Sequence, residues 1–385
     1  MPRRSRARRS VRSDAPSGGD DSAARLKVAI LGVGLIGGSI GLAARQRLGA
    51  EVCGYDPDEN VRQRALTLGA LDSQAAEVPA AVDDADVVFA AAPVGALAQT
   101  VTLALESAAE DCVVSDVGST KLFLAQIARD ERFIGGHPLA GAETAGVEHA
   151  RADLFDGATW YLTPAKGSTS GVLYQRLYSV LRGIGARPVA IDAATHDRLM
   201  ARVSHLPHVL ANLLVTQSGL LGEPGEQLPA VGPSFRDATR VAGANTAIWT
   251  DIYLSNRDAL IAGIDELRER LRDVRGWLLA GDAPALSAWN ERARSAREAL
   301  LGAGLAGDAA GERVHELRAS VPNRPGVIAE IALALGEANV NILDLVLSPS
   351  QDNRQGTVAL WIAGDERAER ASELIGSLGF PVAQA

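Results

Sequence analysis

The chain has 385 residues, 47% hydrophobic and 22% charged, with a formal net charge of −9. That length is more than one hydrophobic core sustains, so two or three domains are expected. Arg, Asp or Glu interrupts every apolar run before the roughly 20 residues a bilayer span needs, which points to a water-soluble chain. Residues 1–12 hold six arginines and no acid, so the rest is more acidic than the average implies; it lacks the basic face that nucleic acid requires.

Residues 1–24 are Arg, Ser, Gly and Asp without apolar periodicity, and a disordered basic tail is expected there. The tail has no apolar core of a secretory signal, and its Arg/Ser composition matches a transit peptide only without the amphipathic face. Cys53 and Cys112 lie in separate strand-like runs, which suggests buried thiols in a reducing cytoplasm rather than a disulfide or a metal site.

From Lys27 short β runs alternate with helices: KVAILGVG, a helix through Arg47, EVCGYD, a helix over residues 60–68, then ADVVFAAAP, CVVSDVGS and RFIGGHP. WYLTPA and ARPVAID add two strands. Near-continuous apolar strands between helices predict a doubly wound parallel sheet, an α/β domain of Rossmann type over residues 25–190. Beyond Asp192 the spacing is helical throughout, and residues 191–303 are expected to form an all-helical domain that also dimerises. GLAGDAAGE, residues 304–312, reads as a linker. Residues 313–385 run strand, helix, strand, strand, helix, strand, the order of a ferredoxin-like domain.

GVGLIG, residues 32–37, satisfies GxGxxG between a strand and a helix. Gly32 suits the tight turn, Gly34 lets backbone approach a pyrophosphate, and Gly37 lets helix and strand pack closely. Asp56 closes the second strand about 20 residues on, where a carboxylate binds ribose hydroxyls and repels a 2′-phosphate. NAD is therefore the expected cofactor, with Gly32, Gly34, Leu35, Ile36, Gly37, Asp56 and Pro93, which ends ADVVFAAAP, as its candidate contacts.

An NAD enzyme that oxidises an alcohol needs a base for the hydroxyl proton, and histidine titrates close to working pH. His137, in GGHPLAG, follows a late strand on the edge that faces ligand in such sheets. Ser119, in DVGSTK, ends the preceding strand. The same spacing fits a turn histidine held by Pro138 and a Ser119 that caps the segment from Lys121. In SHLPH, His205 and His208 share a helical face that Pro207 should bend; no third ligand stands at metal spacing, which leaves substrate contact or a satisfied core pair. Arg240 fits either a bidentate carboxylate clamp or a solvated surface position.

Taken in order, ILGVGLIGGSIGLA, GYD, DVGSTK, GGHPLAGAETAGVE, VSHLPH and FRDATR followed by W-x-DI resemble the prephenate/arogenate dehydrogenase family of tyrosine biosynthesis, over residues 26–300. The resemblance implies NAD-dependent oxidative decarboxylation of prephenate to 4-hydroxyphenylpyruvate, with arogenate as the alternative substrate. By it His137 is the base, Ser119 orients base and nicotinamide, Arg240 pairs with a substrate carboxylate, His205 and Glu143 line the pocket, and Trp249 stands near the substrate. The chain departs from the family in having Val231-Gly232-Pro233-Ser234 where a glycine run often precedes FRD. NRPGVIAEIALALGEANVNILDL resembles an ACT domain, which implies amino-acid feedback with tyrosine as effector; Asn323, Pro325, Gly326 and Val327 are the candidate effector contacts. A β-hydroxyacid dehydrogenase would need a lysine on the helical domain, yet Lys27, Lys121 and Lys166 all precede it. A non-catalytic sensor of NAD and amino acids would not need Ser119, His137 and Arg240 together.

Overall fold

The computed structural model describes residues 25–141, 144–165, 168–219, 231–306, 313–349 and 355–384. The expected basic tail, Glu143 and most of the expected linker lie outside these residues. The chain forms two compact units, residues 1–266 and 267–385, that divide inside one long helix.

The first unit opens with β1 (Lys27–Leu31), α1 (Leu35–Leu48), β2 (Glu51–Tyr55), α2 (Glu59–Thr67), β3 (Ser73–Gln74), α3 (Val78–Val82), β4 (Val87–Ala90), α4 (Val94–Ser107) and β5 (Val113–Asp116). These strands make a parallel five-stranded sheet in the order β3-β2-β1-β4-β5. Strand alternation sends Val28 and Ile30 into one core and Ala29 and Leu31 into the other, so both faces are covered. Gly49 ends α1 in the left-handed region (φ +62°), and the Asp58 side chain caps α2 by accepting from Asn60 N at 2.8 Å.

After α5 (Leu122–Ile127) come β6 (Gly135–Pro138), β7 (Thr159–Thr163), α6 (Val172–Gly183) and β8 (Arg187–Ala190). They form a separate three-stranded sheet, β6-β7-β8, touching the first through a Val114–Phe133 bridge. β6 runs antiparallel to β7, so the parallel pattern expected of every strand stops here. His137 stands within β6, opposite Tyr161, rather than after a strand. The glycines before it are steric: a Cβ on Gly135 would lie 2.4 Å from Thr163 Oγ1, and one on Gly136 2.5 Å from the Asp116 carbonyl oxygen.

The helices follow as α7 (Ala193–Met200), a π-helical turn (Ala201–His205), α8 (Leu206–Gly219), α9 (Pro233–Thr239), a short 3-10 turn (Arg240–Gly243), α10 (Thr246–Ser255), α11 (Arg257–Ala280) and α12 (Ala283–Ala306). Pro207 has no N–H, and its ring would meet the Val203 carbonyl in a regular helix. The wide turn, closed by Leu206 N–H to the Ala201 carbonyl, takes up that misfit without a break. α12 continues through Ala306, past the start of the expected linker.

The second unit ends in β9 (Val314–Pro322), α13 (Val327–Glu337), β10 (Asp344–Pro349), β11 (Gln355–Ala363), α14 (Asp365–Ser377) and β12 (Val382–Gln384). The antiparallel sheet order β10-β11-β9-β12 is the ferredoxin-like arrangement, and Ile331, Leu335, Ala371 and Ile375 bury the helices against it.

Candidate active site

The glycine loop has three different geometries. Gly32 lies at φ +98° and its Cβ would stand 2.7 Å from the Ala91 carbonyl. Gly37 is closed as firmly, because a Cβ there would fall 2.0 Å from the Gly32 oxygen. Gly34, the residue before α1, is the opposite: a Cβ would meet nothing within 4 Å, and no side chain caps the helix. That is an open cradle at a helix N-terminus with unpaired N–H groups, which fits a pyrophosphate. Leu35 and Ile36 open α1, and Pro93 stands immediately before α4. Asp56 Oδ2 accepts from Val33 N at 2.9 Å, so the carboxylate at the end of β2 sits beside the loop.

One edge of β5 and β6 carries a buried polar cluster. Lys121 and Asp116 form an ion pair with both side chains fully enclosed, and Asp116 also accepts from Gly118 N (2.8 Å) and Gly136 N (3.1 Å). Asp197, on α7, accepts from Lys121 N (2.8 Å) and Leu122 N (2.9 Å) and so anchors the loop that carries Ser119. Ser119 is half-buried between two anchored neighbours, and Thr120 Oγ1 meets Ser255 Oγ at 3.1 Å. Among the described residues Ser119 makes no hydrogen bond to His137.

The half-buried His137 places Nδ1 2.9 Å from His196 Nε2. Its Nε2 makes no hydrogen bond among the described residues. Burial, then the Lys121 cation and the neighbouring histidines, hold the His137 imidazole well below its ordinary 6.5, so it is neutral.

His205 is 1% exposed, and burial first of all lowers it to about 4. Asn256 Nδ2 donates to its Nδ1 at 3.1 Å and to the Asp197 carbonyl at 2.8 Å, which leaves the His205 proton on Nε2. Trp249 stacks on His208 with ring centroids 3.6 Å apart and 7° between planes, and stands edge-on to His205 at 6.1 Å. His208 meets the Tyr253 hydroxyl through Nδ1; burial lowers this ring too, opposed by the Val241 backbone carbonyl. Arg240, exposed, begins the turn that contains Val241.

The structure therefore brings His137 and the Ser119 loop onto one sheet edge, and His205, His208 and Trp249 into one aromatic cluster. Sequence reasoning missed His196, Asp197 and Asn256. The one available signal was an adjacent His-Asp pair at the start of a helix, which composition cannot tell from a solvated first turn. In the second unit Gly326 (φ +87°) precedes α13, Val327 is a core residue, and Arg324 pairs with Glu330 at 2.7 Å beside Asn323 and Pro325. Among the described residues no cluster of His, Cys, Asp and Glu could hold a metal ion, and no helix is long and apolar enough to cross a membrane.

Residues 40–190 match the prephenate dehydrogenase nucleotide-binding domain, 192–291 the prephenate dehydrogenase dimerization domain, and 315–370 the ACT domain. The chain is 31% identical to a prephenate dehydrogenase of Bacillus subtilis, over 90% of this chain and 95% of that one. Among solved structures it is similar to a prephenate dehydrogenase from Aquifex aeolicus in complex with hydroxyphenyl propionate and NAD+, at TM-score 0.67 and 27% identity, covering 73% of this chain and all of that one. A Synechocystis arogenate dehydrogenase is similar at TM-score 0.64 and 25% identity, over 71% of this chain and 100% of that one.

Proposed function

Because the chain belongs to the prephenate dehydrogenase family, we propose that this NAD-dependent dehydrogenase converts prephenate to 4-hydroxyphenylpyruvate and carbon dioxide, as a cytoplasmic homodimer whose ACT domain responds to tyrosine. The observation that carries the reading is a neutral His137 on the sheet edge beside the Ser119 loop, with Nδ1 engaged by His196 and Nε2 without a hydrogen bond among the described residues.

Prephenate has a ring hydroxyl on one carbon of a cyclohexadiene and a carboxylate on the opposite quaternary carbon. Bound NAD would supply the acceptor for the hydride on the hydroxyl-bearing carbon. His137 Nε2 takes the hydroxyl proton, the ring carboxylate leaves as carbon dioxide, its electron pair completes the aromatic ring and is drawn onto the former hydroxyl oxygen, and that oxygen takes the proton back from His137 to give the phenol. Aromatisation supplies the driving force, so the protein needs to orient, accept one proton and hold anions. Gly32, Gly34, Leu35, Ile36 and Gly37 would hold the pyrophosphate, Asp56 the adenosine ribose, and Pro93 the approach to α4. Arg240 is assigned to a substrate carboxylate, with His205 and Trp249 as the wall of the substrate pocket and Ser119 as a hydroxyl beside the base. Glu143 lies outside the described residues and stays a candidate by resemblance alone.

Changing His137 to Asn should lower kcat by roughly 10²–10⁴-fold with KM little altered, read from NADH absorbance with prephenate. Wild-type rates in that variant would sink the assignment. Likeness to the Synechocystis enzyme favours arogenate as a second reading. Prephenate and arogenate differ in a keto against an amino group, so the ratio of kcat/KM for the two decides. For the ACT domain, Asn323, Pro325, Gly326 and Val327 are assigned to the effector, and kinetics unmoved by tyrosine would leave the domain a packing module.

A further inference from the structure

A base is useful only if its lone pair faces the substrate, and a neutral imidazole can carry its proton on either nitrogen. We infer that His196 and Asp197 are positioning residues that fix the His137 tautomer, keeping the proton on Nδ1 and the lone pair on Nε2. The inference rests on the reading of His137 as the base.

The direction of the chain follows from donor and acceptor counting. Asp197 takes backbone N–H groups at both oxygens, from Lys121 and Leu122. A carboxylate held this way accepts and does not donate. His196 Nδ1, 2.8 Å from Asp197 Oδ1, must therefore carry a proton. In the neutral ring Nε2 is then the acceptor, and it lies 2.9 Å from His137 Nδ1, which must donate. The lone pair of His137 is left on Nε2, the nitrogen that makes no hydrogen bond among the described residues.

Packing holds the geometry. His196 is 0% exposed, with Tyr161 edge-on at 5.6 Å and His137 edge-on at 5.1 Å. When His137 Nε2 takes the hydroxyl proton, the imidazolium still donates through Nδ1 to His196, and the Asp197 carboxylate lies one ring further on to stabilise the charge. The other charged or titratable groups around the pair are Lys121, paired with Asp116, and His205. Asp197 thus has a double role, orienting the relay and anchoring the Ser119 loop.

The tautomer can be read without turnover. The full-length protein has six histidines, so ¹⁵N-histidine labelling with long-range proton–nitrogen correlation resolves the rings, and His137→Asn assigns its own signal. The expected wild-type result is a protonated Nδ1 and a bare Nε2 on His137. A bare Nδ1 with protonated Nε2, which a doubly protonated His196 would impose, overturns the relay. In His196→Ala the ring should become a tautomer mixture and kcat should fall by roughly 10²-fold with both KM values near wild type, whereas His196→Asn, which keeps an acceptor oxygen, should recover part of the loss. Unchanged tautomer and kcat in His196→Ala would also overturn it. The wild-type spectrum decides the point if a variant fails to fold. Its outcome is independent of substrate identity, so failure of the relay and failure of the prephenate reading are separable.

Discussion

The neutral state of His205 has a measurable consequence for stability. Its imidazole titrates near 6.5 in the unfolded chain and at about 4 in the fold, chiefly because burial disfavours the cation. Between those two values the unfolded chain binds a proton that the folded chain does not. The contribution is therefore fully present above about pH 6.5 and is lost as pH falls toward 4, by about 3 kcal/mol in all. His137 is shifted the same way and adds in the same direction. Thermal unfolding at pH 7.5 and 5.0 should show a smaller drop in Tm for His205→Gln than for wild type, though the variant starts lower because Asn256 loses its acceptor. Equal drops would show that His205 does not carry the acid sensitivity.

At the scale of elements, the β1-to-α1 turn separates folding from binding within one motif. Gly37→Ala would drive a methyl into the Gly32 carbonyl and should destabilise the sheet itself. Gly34→Ala adds a methyl where the protein has nothing within 4 Å. That variant should keep the wild-type Tm and lose NAD affinity in calorimetric titration, if the phosphates take that space as proposed. A Tm loss as large as that of Gly37→Ala would mean the position is structural.

The tight turn at Gly32 and the close packing at Gly37 were legible because both follow from position along a strand, turn and helix. β1, β2, β4 and β5 were legible for a similar reason, since strands covered on both faces carry near-continuous apolar runs. β6 was readable as a strand region but not in direction: Gly135, Gly136, His137 and Pro138 carry no alternation, and the antiparallel pairing with β7 is a long-range choice that leaves no local mark. The π turn shows the same limit. Pro207 announced a distortion in the helix, but whether it becomes a bend or a widened turn depends on what packs around His205 and His208. His196 and Asp197 were hidden because their role depends on reaching across to His137 and Lys121, some 60 to 75 residues earlier in the chain. Local pattern holds no trace of that reach.

For the whole molecule, the long helices α8, α11 and α12 carry exposed apolar side chains. Leu278 and Leu279, in the last turn of α11, are 64% and 73% exposed, and Leu300 on α12 is 75% exposed. Leu213 and Leu214 on α8 and Ile261 on α11 are exposed as well. Single exposed leucines are ordinary, but long helices with apolar positions repeated along an open side call for a partner surface. Covering a leucine side chain is worth about 1.5–3 kcal/mol, so a pair of chains that buries several from each has enough driving force to stay together against the entropy of association. The match of residues 192–291 to a dimerization domain agrees with a second copy as the occupant. Replacing Leu278 and Leu279 together with Glu should leave the Rossmann-type sheet intact by circular dichroism and shift the sedimentation mass from twice the chain's 40.2 kDa toward the single value. A wild-type protein that sediments at 40.2 kDa across the micromolar range would show that these leucines serve something other than self-association.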